Sequence, residues 1–230
     1  MAKYRHELKY LINEIEAIEL SNVLKYIMKP DEHADNGVYN IRSLYFDDIY
    51  QSAYNEKLDG VEERKKYRIR IYNCRDDVIS LECKHKSGQY IYKESIRISN
   101  EEYGNILNGD TDFLLKKNSD MAREFYIDCK SSILKPNVIV DYDREPLIYD
   151  VGTVRITFDR HVRAENSTDS IFDNKIHSYA VFPDGTLILE VKFTELLPEK
   201  IRKILNSYSF AQTSASKYCL CLDRLHGILK

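Results

Sequence analysis

Several segments of the chain alternate between apolar and charged residues, which is the pattern of β-strands with two different faces. In the segment Tyr67–Tyr72, apolar side chains at positions 67, 69 and 71 alternate with Arg68 and Arg70. The same alternation puts charged or polar residues on one face of five further segments: Arg5, Glu7 and Lys9; Glu82, Lys84 and Lys86; Lys93, Ser95 and Arg97; Arg155, Thr157 and Asp159; and Glu190, Lys192 and Thr194. The chain therefore contains many strands with one apolar face and one face rich in Arg, Lys and Glu.

Turn and capping signals between these segments predict the remaining elements. Asn13 followed by Glu16 is a capping box at the start of a helix, and Ser87-Gly88 is typical of a hairpin turn. The predicted strands are Lys3–Leu11, Val38–Phe46, Lys65–Asn73, Val78–Lys86, Tyr90–Ser99, Asn137–Glu145, Gly152–Arg163 and Thr186–Thr194. The predicted helices are Glu14–Met28, Asp48–Leu58, Asn100–Asn108, Met121–Leu134 and Pro198–Ser207, and the tail Ser214–Lys230 fits neither pattern clearly. No internal repeat or flexible linker divides the chain, so we expect a single domain over residues 1–230.

The charged strand faces decide which fold class we expect. An open antiparallel sheet with one solvated face is the simpler explanation for any single strand. Here, however, the charged faces favour arginine over the Thr, Gln or Ser that suit a solvated strand face. The amphipathic helices also need an apolar surface to cover, and the other strand faces provide it. These features predict an α+β fold: a closed antiparallel β-barrel tunnel of about eight strands, with helices packed on the outside and a charged lumen.

The residue types in this predicted lumen suit a phosphate chain. The guanidinium group of arginine donates two parallel hydrogen bonds to phosphate oxygens, and lysine adds a compact positive charge. Inward glutamates would repel a bare polyphosphate, but they are suitable ligands for Mg²⁺ or Mn²⁺, which bridges carboxylate and phosphate. The pattern therefore predicts a triphosphate or polyphosphate site with a divalent metal.

The overall composition restricts the expected partners and compartment. The 34 Lys and Arg residues against 37 Asp and Glu give a net charge of −3, which does not favour a basic coat for nucleic acid. The five cysteines contain no CxxC pair, as expected for free thiols in a reducing compartment. The N-terminus has no apolar signal-peptide core, and no apolar run approaches the roughly 20 residues of a membrane helix. We expect a cytoplasmic protein that binds no nucleic acid, with any membrane partner encoded separately.

Eight short motifs, in order along nearly the whole chain, resemble one protein family. They are Arg5-His-Glu-Leu-Lys9, Ser43-Leu-Tyr-Phe-Asp47, Lys66-Tyr-Arg-Ile-Arg-Ile71, Leu81-Glu-Cys-Lys-His-Lys86, Tyr142-Asp-Arg144, Val154-Arg-Ile-Thr-Phe-Asp159, Leu189-Glu-Val-Lys192 and Ser214-Ala-Ser-Lys-Tyr218. Each motif alone is unspecific, but their order resembles the VTC-type polyphosphate polymerase domain of the triphosphate tunnel metalloenzyme (CYTH-like) superfamily. Arg5 stands where many tunnel enzymes have the first glutamate of an E-x-E-x-K motif. This departure favours the VTC branch over the thiamine-triphosphatase and adenylate-cyclase branch.

The resemblance implies roles for the residues at matching positions. Phosphate contacts would come from Lys9, Arg68, Arg70, Lys84, Lys86, Lys93, Arg97, Arg144, Arg155, Ser216 and Lys217. Among these, Lys217, Arg155 and Lys84 would be catalytic, and the metal ligands would be Glu190, Glu7 and Glu82. The cofactor would be Mn²⁺ or Mg²⁺, and the partners a nucleoside triphosphate and inorganic polyphosphate or triphosphate. The implied activity is that of an ATP-dependent polyphosphate polymerase, which passes the terminal phosphoryl group of a nucleotide onto a growing chain.

Three alternatives stay open at this point. The same lumen would hydrolyse triphosphate or polyphosphate if water were the acceptor. A non-catalytic polyphosphate-binding module would keep the basic lining, and Glu190 would then serve only as an ion-pair partner of Lys192 or Lys84. RNA 5′-triphosphate processing uses a related tunnel, but this chain lacks a basic or aromatic outer stripe. We predict a solvated turn for the charge cluster Glu62–Lys66.

Overall fold

The computed structural model describes residues 5–88, 90–168 and 170–229, and this part of the chain is built on one large sheet. The strands are β1 (His6–Asn13), β2 (Lys29–Pro30), β3 (Tyr39–Asp47), β4 (Glu63–Tyr72), β5 (Arg75–Ser87), β6 (Tyr90–Ile98), β7 (Lys135–Tyr149), β8 (Val154–Asn166), β9 (Ser178–Ala180) and β10 (Thr186–Phe193). The α-helices are α1 (Glu14–Leu24), α2 (Ser52–Leu58), α3 (Asn100–Leu107), α4 (Asp120–Ser131), α5 (Glu199–Asn206) and α6 (Lys217–Leu225). Short 3-10 helices occur at Asp35–Gly37, Asp112–Lys116 and Val151–Thr153. None of the helices in these ranges is long and apolar enough to cross a bilayer.

Local capping and a proline set the limits of α1. The predicted capping box is present: the amide of Glu16 donates to Asn13 Oδ1 at 2.9 Å, and the amide of Asn13 donates to Glu16 Oε2 at 2.8 Å. The helix ends at Leu24, four residues before the predicted end at Met28. Pro30 lies in β2, and the residue before a proline avoids the helical conformation, so the chain must leave the helix before this point.

The sheet is antiparallel throughout the described residues, and its main strands follow the order β1-β10-β8-β7-β3-β4-β5-β6. Beside this path, β2 pairs with β7 and β9 pairs with β8. The end strands β1 and β6 approach each other at one isolated bridge, where the amides of Arg5 and Ile91 donate to each other's carbonyl oxygens at 3.1 and 3.3 Å. This bridge is a single residue pair and not a ladder. The structure therefore confirms the α+β class and the large antiparallel sheet, but it does not confirm a closed barrel.

Helices cover the apolar faces of both halves of the sheet. α1 and α5 bury Leu20 and Ile201 against the side of β8 and β10 that carries Ile156 and Leu189. α3 and α4 cover the apolar faces of β4 and β5 in the same way, with Phe125 fully buried in that cluster. Because successive side chains of a strand point to opposite faces, the charged residues of these strands project to the other side of the sheet, which we call the inner side.

Helix α6, in the tail that showed no clear pattern, packs against this inner side. Its residues Tyr218, Cys221 and Leu222 lie in one apolar cluster with Val140 of β7. Val140 is two residues from Tyr142, which lines the cavity described below, so the alternation puts both on the inner side. The inner side is thus apolar at the end that α6 covers and charged elsewhere.

Candidate functional site

The inner side of the sheet borders a cavity of about 510 Å³, lined by strands β1, β3, β4, β5, β7 and β10 and by the segment that leads into α6. Two carboxylates line it, those of Glu7 and Glu190. Eleven basic side chains line it as well: Lys9, Lys57, Arg64, Lys66, Arg68, Arg70, Lys84, Lys86, Arg144, Lys192 and Lys217. Such an excess of positive charge in one partly enclosed space favours an anionic ligand.

Glu190 is the centre of a buried ion-pair cluster in this cavity. Its Oε1 lies 2.9 Å from Lys217 Nζ and 3.6 Å from Lys9 Nζ. Its Oε2 lies 2.7 Å from Lys192 Nζ and 3.4 Å from Arg144 Nη2. Burial by itself would raise the pKa of Glu190, but the four cations outweigh it and hold this pKa well below its ordinary value of 4.5. Glu190 is therefore ionised at neutral pH.

A second carboxylate, that of Asp159, holds two of the same cations. Arg144 donates to it through Nε at 2.6 Å and through Nη2 at 2.7 Å, a bidentate pair. Lys217 Nζ lies 2.5 Å from Asp159 Oδ2. Burial would lower the pKa of Lys217, but Asp159 and Glu190 outweigh it and raise this pKa above its ordinary value. Arg144 and Lys217 are thus permanently charged, and Asp159 sets their orientation.

Glu7 joins the cluster from β1. Its carboxylate lies 3.0 and 3.1 Å from Lys84 Nζ and 3.2 Å from Lys9 Nζ. Burial would raise the pKa of Glu7, but Lys84 and Lys9 lower it far below its ordinary value of 4.5. Burial also lowers the pKa of Lys84 to about 8, because repulsion from Lys9 and Lys192 offsets the attraction of Glu7. Lys84 therefore loses its proton close to neutral pH. We call Glu7, Lys9, Lys84, Arg144, Asp159, Glu190, Lys192 and Lys217 the inner cluster.

The two arginines of β4 are held by groups on neighbouring strands. Arg68 donates to Glu82 Oε2 at 2.7 Å and to Tyr45 Oη at 2.8 Å. Arg70 donates to Tyr142 Oη at 3.3 Å. Both arginines line the cavity. Because these hydrogen bonds orient their guanidinium groups before a ligand binds, the entropic cost of binding is lower.

A comparison with protein families identifies the chain. The sequence model of the VTC domain matches residues 4–226, which is nearly the whole chain. The chain belongs to the VTC domain family. Among curated protein sequences, none matches this VTC domain.

Solved structures that share the fold of this VTC domain are distant in sequence. A candidate adenylyl cyclase from Hippeastrum, described as having a dominant triphosphatase activity, is 14% identical, with a TM-score of 0.54 over 95% of this chain and 94% of that chain. A candidate adenylate cyclase from Bacillus halodurans is 15% identical, with a TM-score of 0.56 over 94% of this chain and 96% of that chain. A third, from Vibrio parahaemolyticus, is 12% identical, with a TM-score of 0.53 over 96% and 98%. At these identities the likeness shows a common fold.

The VTC domain brings ten of the predicted site residues to one cavity. They are Glu7, Lys9, Arg68, Arg70, Lys84, Lys86, Arg144, Glu190, Ser216 and Lys217. Ser216 is the N-cap of α6, where its hydroxyl accepts a hydrogen bond from the amide of Cys219, so Lys217 follows at the first turn of the helix. The capping serine thereby directs the adjacent lysine to the inner cluster.

Glu82 and Lys93, two of the predicted site residues, lie outside the cavity lining. The Glu82 carboxylate is buried, with one oxygen 2.6 Å from Arg68 Nη2 and the other 2.5 Å from Lys93 Nζ. Burial would raise the pKa of Glu82, but Arg68 and its cationic neighbours lower it far below its ordinary value of 4.5. In this structure Glu82 and Lys93 therefore hold Arg68 in place from behind.

Arg155 and Arg97 are also not brought to the cavity lining. Arg155 Nη2 donates to Asp31 Oδ2 and to Tyr39 Oη, each at 2.6 Å. Arg97 is exposed on β6, opposite Ser80 of β5. The side-chain alternation alone does not distinguish these two arginines from those that line the cavity, since it specifies a strand face but not the position along the sheet.

The cavity also contains basic residues that were not among the predicted site residues: Lys57, Arg64, Lys66 and Lys192. The prediction of a solvated turn at Glu62–Lys66 is wrong, because β4 begins at Glu63 and both Arg64 and Lys66 line the cavity. The alternation that identified Arg68 extends backwards to positions 66 and 64, and it would have found them. Lys57 belongs to α2, and no local pattern indicates that this helix lies beside the cavity.

Glu7 and Glu190 are the two carboxylates of the described residues that line the cavity and could hold a divalent cation there. Both are ionised, and they lie 3.2 and 3.6 Å from the same Lys9 Nζ, on which they converge. No group of three or more His, Cys, Asp or Glu side chains in the described ranges could hold a metal ion. Glu7 and Glu190 could hold a cation such as Mg²⁺ or Mn²⁺ if phosphate oxygens of a bound ligand completed its coordination.

Proposed function

We propose that this VTC domain binds the phosphate chains of a nucleoside triphosphate and of inorganic polyphosphate, and that it acts as a polyphosphate polymerase. The observation that carries the proposal is the excess of eleven basic side chains over two carboxylates in a cavity of about 510 Å³. A ligand that balances this excess must bring several negative charges in a small volume. A chain of phosphates does so, and its oxygens suit the arginine forks of β4.

The proposed binding mode follows from which cations a ligand can reach. Arg68 and Arg70 project from one face of β4 and would hold successive phosphates, while Lys9 and Lys84 would exchange part of their contact with Glu7 for a phosphate oxygen. We further propose that the bridge between Arg5 and Ile91 closes the sheet into a tunnel along which the chain extends.

The proposed reaction breaks the bond between the terminal phosphorus of the nucleotide and its leaving oxygen, and it forms a bond from that phosphorus to a terminal oxygen of the acceptor chain. The products are a nucleoside diphosphate and a polyphosphate that is longer by one unit. Arg68 and Arg70 would keep the transferred group in line, because phosphoryl transfer depends on positioning and charge neutralisation. Lys217 and Lys84 would stabilise the charge that develops on its oxygens. A divalent cation held by Glu7 and Glu190 would add to this neutralisation.

One assay separates the polymerase from its alternatives. The purified domain is incubated with ATP and Mn²⁺, and long-chain polyphosphate, ADP and free phosphate are all followed. We expect polyphosphate to account for most of the phosphoryl groups lost from ATP. Release of phosphate without polymer would replace the polymerase by a triphosphatase or polyphosphatase. Binding of both ligands without turnover would leave a polyphosphate-binding module.

We expect the affinity for tripolyphosphate to fall as the pH rises above about 8, because Lys84 becomes neutral there in the free protein. A bound phosphate favours the charged lysine and raises its pKa, so binding takes up a proton at pH values above 8 and takes up none well below it. One proton changes the dissociation constant by at most about tenfold per pH unit. Isothermal titration calorimetry between pH 7 and 9, in buffers of different ionisation enthalpy, measures both effects.

Lys84→Arg is the matched control for this pH dependence, because arginine stays charged throughout the range. Titration of the ligand affects the wild-type chain and the variant equally. The difference between their affinity profiles against pH therefore reports on Lys84 and not on the ligand. Identical profiles for the wild-type chain and the variant would show that Lys84 does not contact the bound phosphate.

A further inference from the structure

Four basic residues of the cavity lie beside the inner cluster and have no carboxylate partner among the residues that the structure describes. They are Lys57, Arg64, Lys66 and Lys86, which we call the outer patch. All four are half-buried, and none forms an ion pair with another described residue. The inner cluster differs in this respect, because each of its cations has a carboxylate within 4.0 Å.

The register of β4 and β5 puts like charges directly opposite each other in this region. Arg64 pairs with Lys86, and Lys66 pairs with Lys84. Like charges at directly opposed positions destabilise a sheet. The next pair on the same face, Arg68 opposite Glu82, has opposite charges. Both like-charged pairs of β4 and β5 thus consist of residues that line the cavity.

The protein provides little compensation for this charge. Among the described residues, Lys66 contacts only neutral groups: its Nζ lies 3.5 Å from Ser216 Oγ, 3.5 Å from Cys219 Sγ and 4.5 Å from the centre of the Tyr218 ring. Burial lowers the pKa of Lys66, and burial together with repulsion from Arg64 and Lys57 lowers the pKa of Lys86. Arg64 donates a hydrogen bond to the carbonyl oxygen of Val61, and Glu56 acts on it only at a distance. An anion bound at the patch would remove the repulsion that the fold leaves in place.

We infer that the outer patch is a second phosphate subsite, which holds the part of an inorganic polyphosphate chain that extends beyond the phosphates bound by the inner cluster. This inference rests on the proposed function and deepens it by naming a chain longer than a triphosphate as the preferred ligand. Lys66 lies directly across from Lys84 of the inner cluster, so the two sites border each other. This continuity favours an inorganic chain over a 5′-triphosphorylated RNA.

The test compares the full chain with the variant Lys57→Gln/Arg64→Gln. The matched control is Lys175→Gln/Lys200→Gln, which removes the same number of charges from exposed positions outside the cavity. Dissociation constants are measured for tripolyphosphate, for long-chain inorganic polyphosphate and for a short 5′-triphosphorylated RNA. We expect the preference of the wild-type chain for long polyphosphate over tripolyphosphate to fall about tenfold or more in the patch variant, since charge-assisted hydrogen bonds are lost. The control variant should keep the preference.

Several results would overturn the inference. An unchanged preference in the patch variant, or no preference in the wild-type chain, would show that the patch holds no part of the chain. An equal or larger loss for the RNA would reassign the patch to nucleic acid. The unfolding temperature of the patch variant serves as a control for its fold. Relief of like-charge repulsion should leave this temperature equal or higher, so a lower unfolding temperature would reveal damage to the fold. In that case the same binding measurements are made with the single variants Lys57→Gln and Arg64→Gln.

The same titrations separate this inference from the proposed function. If the wild-type chain binds both ligands but makes no polymer, the proposed function fails and the chain-length preference still tests the patch. If it binds neither ligand, the proposed function and the inference about the patch are both wrong. If it makes polymer and the patch variant keeps the chain-length preference, only the inference about the patch fails.

Discussion

Glu190→Gln is expected to lower ATP turnover by about 10²- to 10³-fold while the chain still binds tripolyphosphate. Glutamine keeps the shape of the side chain but removes the charge, so a divalent cation would lose one of the two carboxylates proposed to hold it. The lysines that contact Glu190, at 2.7 Å for Lys192 and 2.9 Å for Lys217, are then freed for phosphate. Affinity for metal-free tripolyphosphate should therefore stay equal or rise. Steady-state turnover with Mn²⁺ and calorimetric titration without metal measure the two effects.

Glu199→Gln is the control for this variant, because it removes the same charge from an exposed helix pair with Lys203, where the glutamate side chain is 65% exposed. Its turnover should match that of the wild-type chain. If Glu190→Gln keeps full turnover, Glu190 is only a structural partner of the lysines. If binding and turnover disappear together in a chain that remains folded, Glu190 serves ligand binding and not the transfer step.

Replacement of Arg144 by methionine should lower the free energy of unfolding by about 3–5 kcal/mol, the cost of breaking a buried ion pair from one side. Arg144 is 6% exposed, and Asp159, its bidentate partner, is fully buried. Among the described residues, the variant leaves Asp159 with Lys217 as its only close cation. Urea unfolding at neutral pH, followed by circular dichroism, measures the difference.

Two comparisons make the Arg144 prediction specific. Arg123→Met removes an exposed pair with Asp120, in which the side chains are 52% and 95% exposed, and it should change the free energy of unfolding by less than about 1 kcal/mol. The double variant Arg144→Met/Asp159→Asn should recover part of the loss, because no buried carboxylate is left without its partner. Equal effects of Arg144→Met and Arg123→Met would contradict the importance of the buried pair.

The Arg144 effect should also depend on pH with a definite sign. Burial would raise the pKa of Asp159, but Arg144 and Lys217 outweigh it and lower this pKa below its ordinary value of 3.8. A lowered carboxyl pKa stabilises the fold at pH values above that ordinary value, and this contribution disappears as the pH falls through the lower folded-state value. The stability difference between the wild-type chain and Arg144→Met should therefore shrink in acid.

The strands and their two faces were predictable because side-chain alternation is a property of the local backbone. In the segment Tyr67–Tyr72, the apolar residues at positions 67, 69 and 71 lie on the strand face that must be buried. Arg68 and Arg70 must then lie on the opposite face of the strand. The capping box of Asn13 and Glu16 is equally local and is present in the structure. Predictions of this kind need only a few neighbouring residues, and the large antiparallel sheet followed from them.

The composition of the cavity was less predictable, because it depends on which parts of distant strands meet. Arg68 and Arg155 have the same sequence signal, yet one lines the cavity and the other pairs with Asp31. Lys57 gave no signal at all, since its helix is positioned by packing against β3 and β4. The position of each arginine along the sheet and the packing of α2 are set by long-range contacts. Such contacts produce no periodic pattern in the sequence.

The sequence alone therefore determined the class of fold and the charged inner faces, because these follow from backbone geometry and side-chain type, and its Arg and Lys residues led to the proposal of a phosphate ligand. Only the tertiary structure decided that α6 covers an apolar part of the inner side, and that Lys217 meets Glu190 and Asp159 there. It also decided that the outer patch has no carboxylate partner within the described part of the chain. These features depend on residues that are up to 206 positions apart, as in the 2.8 Å hydrogen bond from Lys9 Nζ to Ala215 O, and only the packing of the whole chain brings such residues together.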